Sequence, residues 1–390
     1  MTDQSQPIGI DVKSAAEGNT AASSSIRTFT SYNFDRNMLT PASPFRFMAP
    51  GVTKSVRTGI RSSDLVTIWG IGPNGDKQQI GTGIIDETDT NVTSSSIEYN
   101  LTGRDTLGQM VDNSAIDANN KIINIENVSI IAILDALIAN TRIPKGRKQQ
   151  GVPNGKMLFQ TNTSETKISA LQRYLEFSNC LVWTTPQGQV VIGKPNFHQP
   201  AMGSLYNLQS DPSKNNVIEC RVRRNTNTAI RQIVTQLQSL NQVDAGVYTV
   251  RNQDRDVKKV AKSLGGRSVY RLFNYGQGND TINQITQVGN SSGSPSQIGQ
   301  ALSLREIARE NMKVLEVEAV VRGHFNENGL VYNIDQIYNV QIEADDVSED
   351  MYVHSCSYEM TMDHGMLTRL RLCRLGAICA DAAAIARSNG

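Results

Sequence analysis

The sequence has few aromatic residues, no long apolar run and almost no net charge. Aromatic residues make up 6% and hydrophobic residues 38% of the 390 residues, which is enough for cores but gives few of the large rings that dominate compact enzymes. No window approaches the roughly 18 unbroken apolar residues that predict a membrane-spanning helix. The formal charge of +1 excludes a global field that would attract nucleic acid or an anionic membrane, so any basic site must be local.

Paired cysteines and a secretion signal are also missing. The 5 cysteines are an odd number, widely spread and without a C-x-x-C pair, so we expect reduced thiols and no disulfide framework. The first residues, MTDQSQPIGI, contain neither the basic nor the apolar region of a signal peptide. These features predict a soluble protein that folds in a cytoplasm.

Local sequence patterns divide the chain into segments that differ in composition and in the spacing of apolar residues. Short alternating runs separated by Gly, Pro, Asn and Asp predict strands, and apolar residues at helical spacing predict helices. Five segments follow: a flexible N-terminal segment outside the fold (1–25), a β domain (26–115), a small α+β domain with two helices and a hairpin (116–200), a second β domain (201–376) with a basic and helical insertion (251–315), and an Ala-rich C-terminal tail (377–390).

The stretch SSIEYNLTGRDTLGQMVD contains residues that look like a binding loop. SSIEYNLT alternates apolar and polar residues and predicts a strand that Gly103 ends. Asp105 or Thr106 is expected to cap a short helix, which puts Arg104 at a strand-to-helix corner. Local geometry therefore accounts for these residue types without a catalytic role.

Two glycine-rich stretches resemble nucleotide-binding motifs and are interpreted as loops. GIGPNG at 70–75 matches G-x-G-x-x-G, but a turn signal and a strand pattern follow it where a dinucleotide site needs a helix. GVPNGK at 151–156 is one residue short of a phosphate loop and continues with Met157 instead of Ser or Thr. The first predicts a hairpin, the second predicts an exposed loop, and we expect no cofactor.

Neither a metal site nor a catalytic site is predicted. The only potential metal ligands that cluster in the sequence lack the short paired spacing of a zinc site, so His354 and Cys356 are interpreted as a satisfied pair on one strand. No nucleophile elbow is present, and no cysteine and histidine occur in a credible catalytic context. We therefore expect a protein that is not an enzyme and has no small-molecule substrate. The other members of the potential cluster are His364, Cys373 and Cys379.

A basic segment leaves one further ligand open. Residues 251–275 carry seven lysines and arginines against two acids, together with Tyr270, Phe273 and Tyr275. Single-stranded nucleic acid is a conceivable ligand for cations beside aromatic rings. A solvated or subunit-facing surface is the favoured interpretation, because the charges do not form a stripe with interleaved rings.

The order and spacing of several segments resemble the baseplate hub proteins of contractile-tailed phages, in the family of the Mu-type tail protein P. The segments are a strand pair, VTIWGIGPNGDKQQIGTGIID, the corner IEYNLTGRDTLGQMVDNSAI, the hairpin CLVWTTPQGQVVIGKP and the late stretch IARENMKVLEVEAVVRGHFNENGLVYNIDQIYNVQIE. The chain departs from the family at His324 and Tyr332, where tryptophans are usual. The positions that match the family's corner motif are Gly103, Arg104, Asp105, Gly108, Val111, Asp112, Ser114 and Ala115.

The resemblance implies a fold and an assembly. It implies a mainly β chain with α+β insertions, in which 26–115 and 201–376 form two tube-like β-barrel domains and strands near 216–240 can complete the first barrel. Three such chains would form a homotrimer with a pseudo-sixfold ring. The ring would adapt the sixfold tail tube or tube-adaptor protein above to the threefold central spike protein below, with baseplate wedge proteins around it.

The resemblance also implies a location and leaves alternatives open. The protein would belong to the tail baseplate of a virion assembled in the host cytoplasm, and phage DNA would pass through it transiently. We expect the residues that face the channel to be mixed or acidic, and the basic residues of 251–271 to face protein partners. The alternatives are a hub of a headless tail-like bacteriocin or secretion particle, a hub with cell-wall hydrolase activity, and a single-strand nucleic-acid-binding protein.

Overall fold

Strands dominate the architecture. The computed structural model describes residues 8–13, 23–149, 151–152, 156–176, 179–226, 230–239, 247–254, 256–258, 267–275 and 295–379. The expectation of a mainly β fold with few helices is confirmed. Within these ranges, no helix combines the length and the apolar character needed to cross a membrane.

The strands and helices are as follows. The strands are β1 (Ile8–Lys13), β2 (Ser23–Ile26), β3 (Ser31–Asn37), β4 (Pro44–Pro50), β5 (Leu65–Ile71), β6 (Lys77–Val92), β7 (Ile97–Asp105), β8 (Asn124–Val128), β9 (Arg147–Lys148), β10 (Met157–Gln160), β11 (Leu181–Thr184), β12 (Val190–Gly193), β13 (Ser204–Asn207), β14 (Val217–Arg224), β15 (Ile230–Ser239), β16 (Val247–Arg251), β17 (Arg267–Tyr275), β18 (Leu315–Arg322), β19 (Gln336–Ile342), β20 (Val347–Thr361) and β21 (Gly365–Arg374). The helices are α1 (Lys54–Gly59), α2 (Gly108–Asp112), α3 (Ile130–Ile138), α4 (Lys167–Glu176) and α5 (Pro295–Val314), with short 3₁₀ turns at Pro212–Lys214 and Glu343–Asp345.

One 13-stranded sheet joins the two β-rich parts of the chain. Its main path is β14-β18-β21-β20-β3-β4-β7-β6-β5-β1-β2, and β13 joins it through β19, which pairs with β20. The long strand β20 makes this continuity possible because it changes partner along its length. Its first half, up to Val353, pairs with β19, and its second half, from Ser355, pairs with β3.

The main core follows the same continuity. Alternate residues of the strands point inward, so side chains from both β-rich parts form one buried cluster. Phe34 of β3 stacks on Tyr358 of β20 with ring centroids 5.8 Å apart, and Phe197 meets Tyr352 edge to face at 5.0 Å. The two β-rich parts therefore share one continuous buried cluster.

The middle of the chain has a separate core. Helices α3 and α4 pack with the strand pair β8–β10 and with β9, β11 and β12 around a second buried cluster. The Ser129 hydroxyl caps α3 by accepting from the backbone N of Ala132 at 3.3 Å. The predicted hairpin is confirmed, with β11 and β12 antiparallel and Gly188 at φ 79° in its turn.

The N-terminal prediction is wrong for the residues that the structure describes. β1 pairs with β5 over six residues, and Ile8, Ile10 and Val12 are buried in the main core. The segment Ser23–Ile26 pairs in turn with β1. The sequence signal was weak because IGIDVK has only three inward apolar residues and polar stretches flank it. Residues 1–7 and 14–22 lie outside the described residues.

The strands near 216–240 pair elsewhere than expected. β14 pairs with β18, and β15 forms a separate three-stranded sheet with β16 and β17. The strand that pairs with β3 from the later part of the chain is β20, which lies more than 300 residues further along the sequence. Local sequence patterns therefore could not identify this pairing. At the C-terminal end, Ala377, Ile378 and Cys379 are buried, and residues 380–390 lie outside the described part.

Candidate functional site

The strand-to-helix corner is held by one arginine between two carboxylates. Arg104, near the end of β7, contacts Asp86 of β6 through Nε–Oδ2 (2.7 Å) and Nη2–Oδ1 (2.9 Å). It also contacts Asp112 of α2 through Nη1–Oδ1 (3.0 Å) and Nη2–Oδ2 (2.6 Å). The hydrogen bonds to Asp86 and Asp112 raise the pKa of Arg104, and Arg104 lowers the pKa of Asp112. Two bidentate pairs thus fix the angle between β6, β7 and α2.

Close packing surrounds both glycines of the corner, and it excludes a side chain at Gly103. A Cβ on Gly103 would overlap the carbonyl oxygen of Ile84 and the ring of Phe45. A Cβ on Gly108, the first residue of α2, would lie 3.3 Å from the Cβ of Arg104. Glycine therefore lets β7 lie against its neighbours and lets α2 begin directly over Arg104.

The end of the corner connects to the α+β unit. Val111 is partly buried against the second core, and Ser114 forms an isolated antiparallel bridge with Thr166 beside α4. Ala115 is buried, and its backbone N donates to the carbonyl oxygen of Glu165 at 2.8 Å. The predicted corner residues therefore come together as one structural joint, and their assignment as a family motif stays a prediction.

Asp105 points from the corner into the interior. Its Oδ1 accepts from the backbone N of Leu107 at 3.0 Å, and Thr184 Oγ1 lies 3.4 Å from its Oδ2. Burial raises the pKa of this carboxyl to about 6, against the opposing influence of Arg36. The predicted helix cap is wrong, because α2 begins after Leu107 without a side-chain cap, and Asp105 binds Leu107 instead.

Arg36, a buried arginine, lies close enough to the Asp105 carboxylate to influence its pKa. Arg36 of β3 is 3% exposed and donates from Nη1 to the carbonyl oxygen of Ile80 (3.1 Å) and to Asn333 Oδ1 (2.8 Å). Its Nη2 donates to the carbonyl oxygen of Thr184 at 2.5 Å. Burial lowers its pKa, and Tyr358 and Asp105 oppose that change. One guanidinium thus joins β6, the α+β unit and the loop before β19.

Sequence reasoning missed Arg36, although a signal was present. In the strand SYNFDRN, every second residue points to the same face, namely Tyr32, Phe34 and Arg36. The first two carry large aromatic rings. An arginine that continues an apolar face indicates a buried, hydrogen-bonded guanidinium.

His324, one of the departures from the family pattern, belongs to a second buried polar link. Its Nε2 lies 2.6 Å from Tyr32 Oη, and its Nδ1 lies 2.8 Å from Thr368 Oγ1. Burial lowers its pKa to about 3, so the imidazole is neutral at pH 7. The link connects β3 to β21 and the end of β18 across the shared core. Tyr332, the other departure, is also buried, with its ring 5.5 Å from that of Tyr338.

The other sequence motifs form no catalytic arrangement in the part of the chain described. GIGPNG is a hairpin turn between the antiparallel strands β5 and β6, as predicted, and Gly75 has φ 83°. Residues 153–155 of the second glycine-rich stretch, and the side chains of most of the basic segment, lie outside the described residues.

Histidine and cysteine side chains are the potential metal ligands identified in the sequence. The described residues hold no group of three side chains suited to a metal ion. His354 and Cys356 are both buried, and Cys356 Sγ lies 3.8 Å from the carbonyl oxygen of Tyr332. Among the described residues, the ring nitrogens of His354 have no hydrogen-bond partner, and Nε2 lies 3.9 Å from Glu316 Oε1. The expectation of a satisfied pair is therefore wrong for His354.

The fold can be compared with proteins of known structure. The tail protein from Neisseria meningitidis MC58 aligns over 96% of this chain and 99% of its own, with TM-score 0.72 and 17% identity. The chain has the fold of phage tail proteins. The 43 kDa tail protein of prophage MuSo2 from Shewanella oneidensis aligns over 95% of this chain and 99% of its own, with TM-score 0.68 and 18% identity.

The similarity extends to a secretion component. An Escherichia coli protein described as a component of the type VI secretion system, similar to the T4 tail proteins gp27 and gp5, aligns over 89% of this chain and 73% of its own. Its TM-score is 0.50 and its identity is 8%. No family model and no curated protein sequence matches this chain. These comparisons therefore show a likeness of fold, at sequence identities below 20%.

Proposed function

We propose that the chain is a structural hub of a contractile phage tail baseplate, which joins the sixfold tail tube to the threefold central spike as a homotrimer. It acts without enzymatic activity and needs no cofactor. The observation that supports this best is the alignment of nearly the whole chain with nearly the whole of two phage tail proteins. Coverage of nearly all of both chains favours a fold shared along the whole alignment over a shared subdomain.

The continuous sheet also supports this proposal. Its two β-rich parts lie side by side through β20 and β3, as two tube-like barrels of one chain would in a ring. Three chains with two such parts each give a pseudo-sixfold ring with threefold symmetry.

The solvent face of β18, β21 and β20 suits a channel for DNA. Arg369 pairs with Glu318 (Nη1–Oε1 2.9 Å) and lies 3.6 Å from Glu359, and Arg371 lies 3.6 Å from Glu318. Paired charges leave few free cations to hold phosphates, so DNA could slide past this face. We propose that it lines the channel and that the spike, tube and wedge proteins bind outside it.

A hub of a secretion particle is the second candidate. The observation that favours it is the fold shared with the type VI secretion component. Both candidates require the same trimer, so the first experiment serves both.

The test is the mass of the purified protein by light scattering at several concentrations, alone and with a candidate spike protein. We expect three times the chain mass of 42.8 kDa, either alone or after the spike protein is added. A chain that stays monomeric or dimeric in all samples would contradict the hub. Peptidoglycan and oligonucleotide assays would then test the hydrolase and the nucleic-acid binder.

A further inference from the structure

A cavity lies where the α+β unit, α5 and the C-terminal end of the described chain meet. Its volume is about 350 Å³, within the range of about 300–1,000 Å³ that is usual for ligand sites. Its walls are largely apolar, with Leu39 from the loop after β3, Leu175 from α4, Val182 from β11, Met312 from α5 and Ile378. Leu39 is 41% exposed, so apolar surface continues outward from the cavity.

One side of the cavity is cationic. Arg305, Arg309 and Lys313 are spaced by four residues along α5 and line the cavity together. Among the residues that the structure describes, the lining includes no aspartate or glutamate. Lys313 contacts Glu310 (Nζ–Oε1 2.9 Å), which lies outside the lining. A ligand in the cavity would therefore meet positive charge on one side and aliphatic side chains on the other.

A buried amide gives the cavity a third property. Asn179 lines it, is 3% exposed and adopts φ 51°. Neither Oδ1 nor Nδ2 has a hydrogen-bond partner in the described part of the chain. A buried amide without partners is costly and rare in proteins. A carboxamide offers an acceptor and donors side by side, which matches the C=O and N–H groups of a peptide backbone.

We propose that this cavity binds an extended peptide segment of a partner protein that carries an aliphatic and an acidic side chain. The aliphatic side chain lies against the apolar wall, a backbone peptide group pairs with Asn179, and the carboxylate faces Arg309 and Lys313. Single-stranded nucleic acid fits less well, because no aromatic ring is found among the described residues of the lining for base stacking.

The experiment measures peptide binding by fluorescence anisotropy to the full chain. The probe is a fluorescein-labelled octapeptide of alternating leucine and aspartate, and its control has lysine in place of aspartate. We expect Arg309→Glu to weaken binding about fivefold to tenfold, since an attraction becomes a repulsion at a partly exposed site. Asn179→Asp, which keeps the shape and loses the amide donor, is expected to weaken it as well. Lys54→Glu, an equal charge change on α1, should leave it unchanged.

Three outcomes would overturn the proposal. They are no binding of the leucine–aspartate peptide at about 1 mM, equal binding of the lysine peptide, or preferential binding of a labelled oligonucleotide. Binding that requires deletion of residues 380–390 would also overturn it, because Asp381 and Ile385 would make that segment the occupant. Light scattering of the same samples distinguishes the trimeric hub from the peptide-binding cavity. A monomer that binds the peptide contradicts only the trimer, and a trimer that does not bind the peptide contradicts only the proposal for the cavity.

Discussion

Arg36 and Arg104 show how differently one residue type can act in this fold. Arg104 has a side chain that is 29% exposed and lies between two carboxylates. Arg36 is buried, and the described contacts of its guanidinium are two backbone carbonyls and one amide oxygen. Exposed ion pairs contribute little to stability, whereas buried acceptors that lose their donor are costly. The arginine without a direct ion pair is therefore expected to matter more.

The two arginines also differ in how far along the chain they reach. Arg104 contacts residues 18 and 8 positions away, all within one corner. Arg36 contacts residues 44, 148 and 297 positions away, in three parts of the fold. The first fixes a local angle, and the second connects parts of the fold that lie far apart in the sequence.

The largest expected effect is that of Arg36→Met. Methionine keeps the length and removes the guanidinium donor from the carbonyl oxygens of Ile80 and Thr184, whereas Asn333 Oδ1 still accepts from the backbone N of Ile334 at 2.8 Å. Each buried unpaired acceptor costs about 1–3 kcal/mol, partly offset because a charge is no longer buried. We expect the free energy of unfolding, measured by urea denaturation, to fall by about 3 kcal/mol.

The matched control for Arg36→Met is Arg46→Met. Arg46 lies on the adjacent strand β4 and is exposed, so the free energy of unfolding should change by less than about 0.5 kcal/mol. Equal effects of the two substitutions would show that Arg36 does not connect the three units.

The fold class, the hairpins, the helices of the middle unit and the corner could be predicted because their signals are local. Turn residues, caps and alternation act within about ten residues of the sequence. The pairing of β20 with β3 could not be predicted. Both strands show an ordinary alternation of apolar and polar residues, and neither sequence identifies the strand that it pairs with. The contacts of Asp105 with Thr184, and of Arg36 with Asn333, were hidden for the same reason.

Asp105 links the corner to the buried arginine, and it gives the second prediction. Its pKa is about 6 in the folded chain and about 3.9 when unfolded. Between pH 4 and 6 the folded state therefore holds a proton that the unfolded state releases, so this group's contribution to stability falls as pH rises. Two pKa units correspond to about 3 kcal/mol.

Asp105→Asn should remove that pH dependence. Asparagine keeps an oxygen that can accept from Leu107 and carries no charge. His324 has the opposite dependence, since its pKa is lowered to about 3 and its contribution is lost as pH falls below about 6.5. Only the difference between wild-type and variant urea curves from pH 4 to 7 isolates Asp105. A difference that does not change over this range would contradict the raised pKa.

The smallest expected effect is at Arg104, and a double-mutant cycle with Asp112 measures it. Asp112 is 55% exposed, so screening by solvent reduces the bidentate pair to about 0.5–1 kcal/mol of coupling free energy. The variants are Arg104→Met, Asp112→Asn and their combination, compared at low salt and at about 1 M salt, where the coupling should nearly vanish. Arg36→Met should show a much weaker salt dependence, because the hydrogen-bond partners of Arg36 are uncharged and its guanidinium is buried away from the ions in solution. A coupling free energy above about 2 kcal/mol, or one that salt leaves unchanged, would contradict this prediction. It would mean that solvent exposure does not explain why Arg104 and Arg36 differ in their effect on stability.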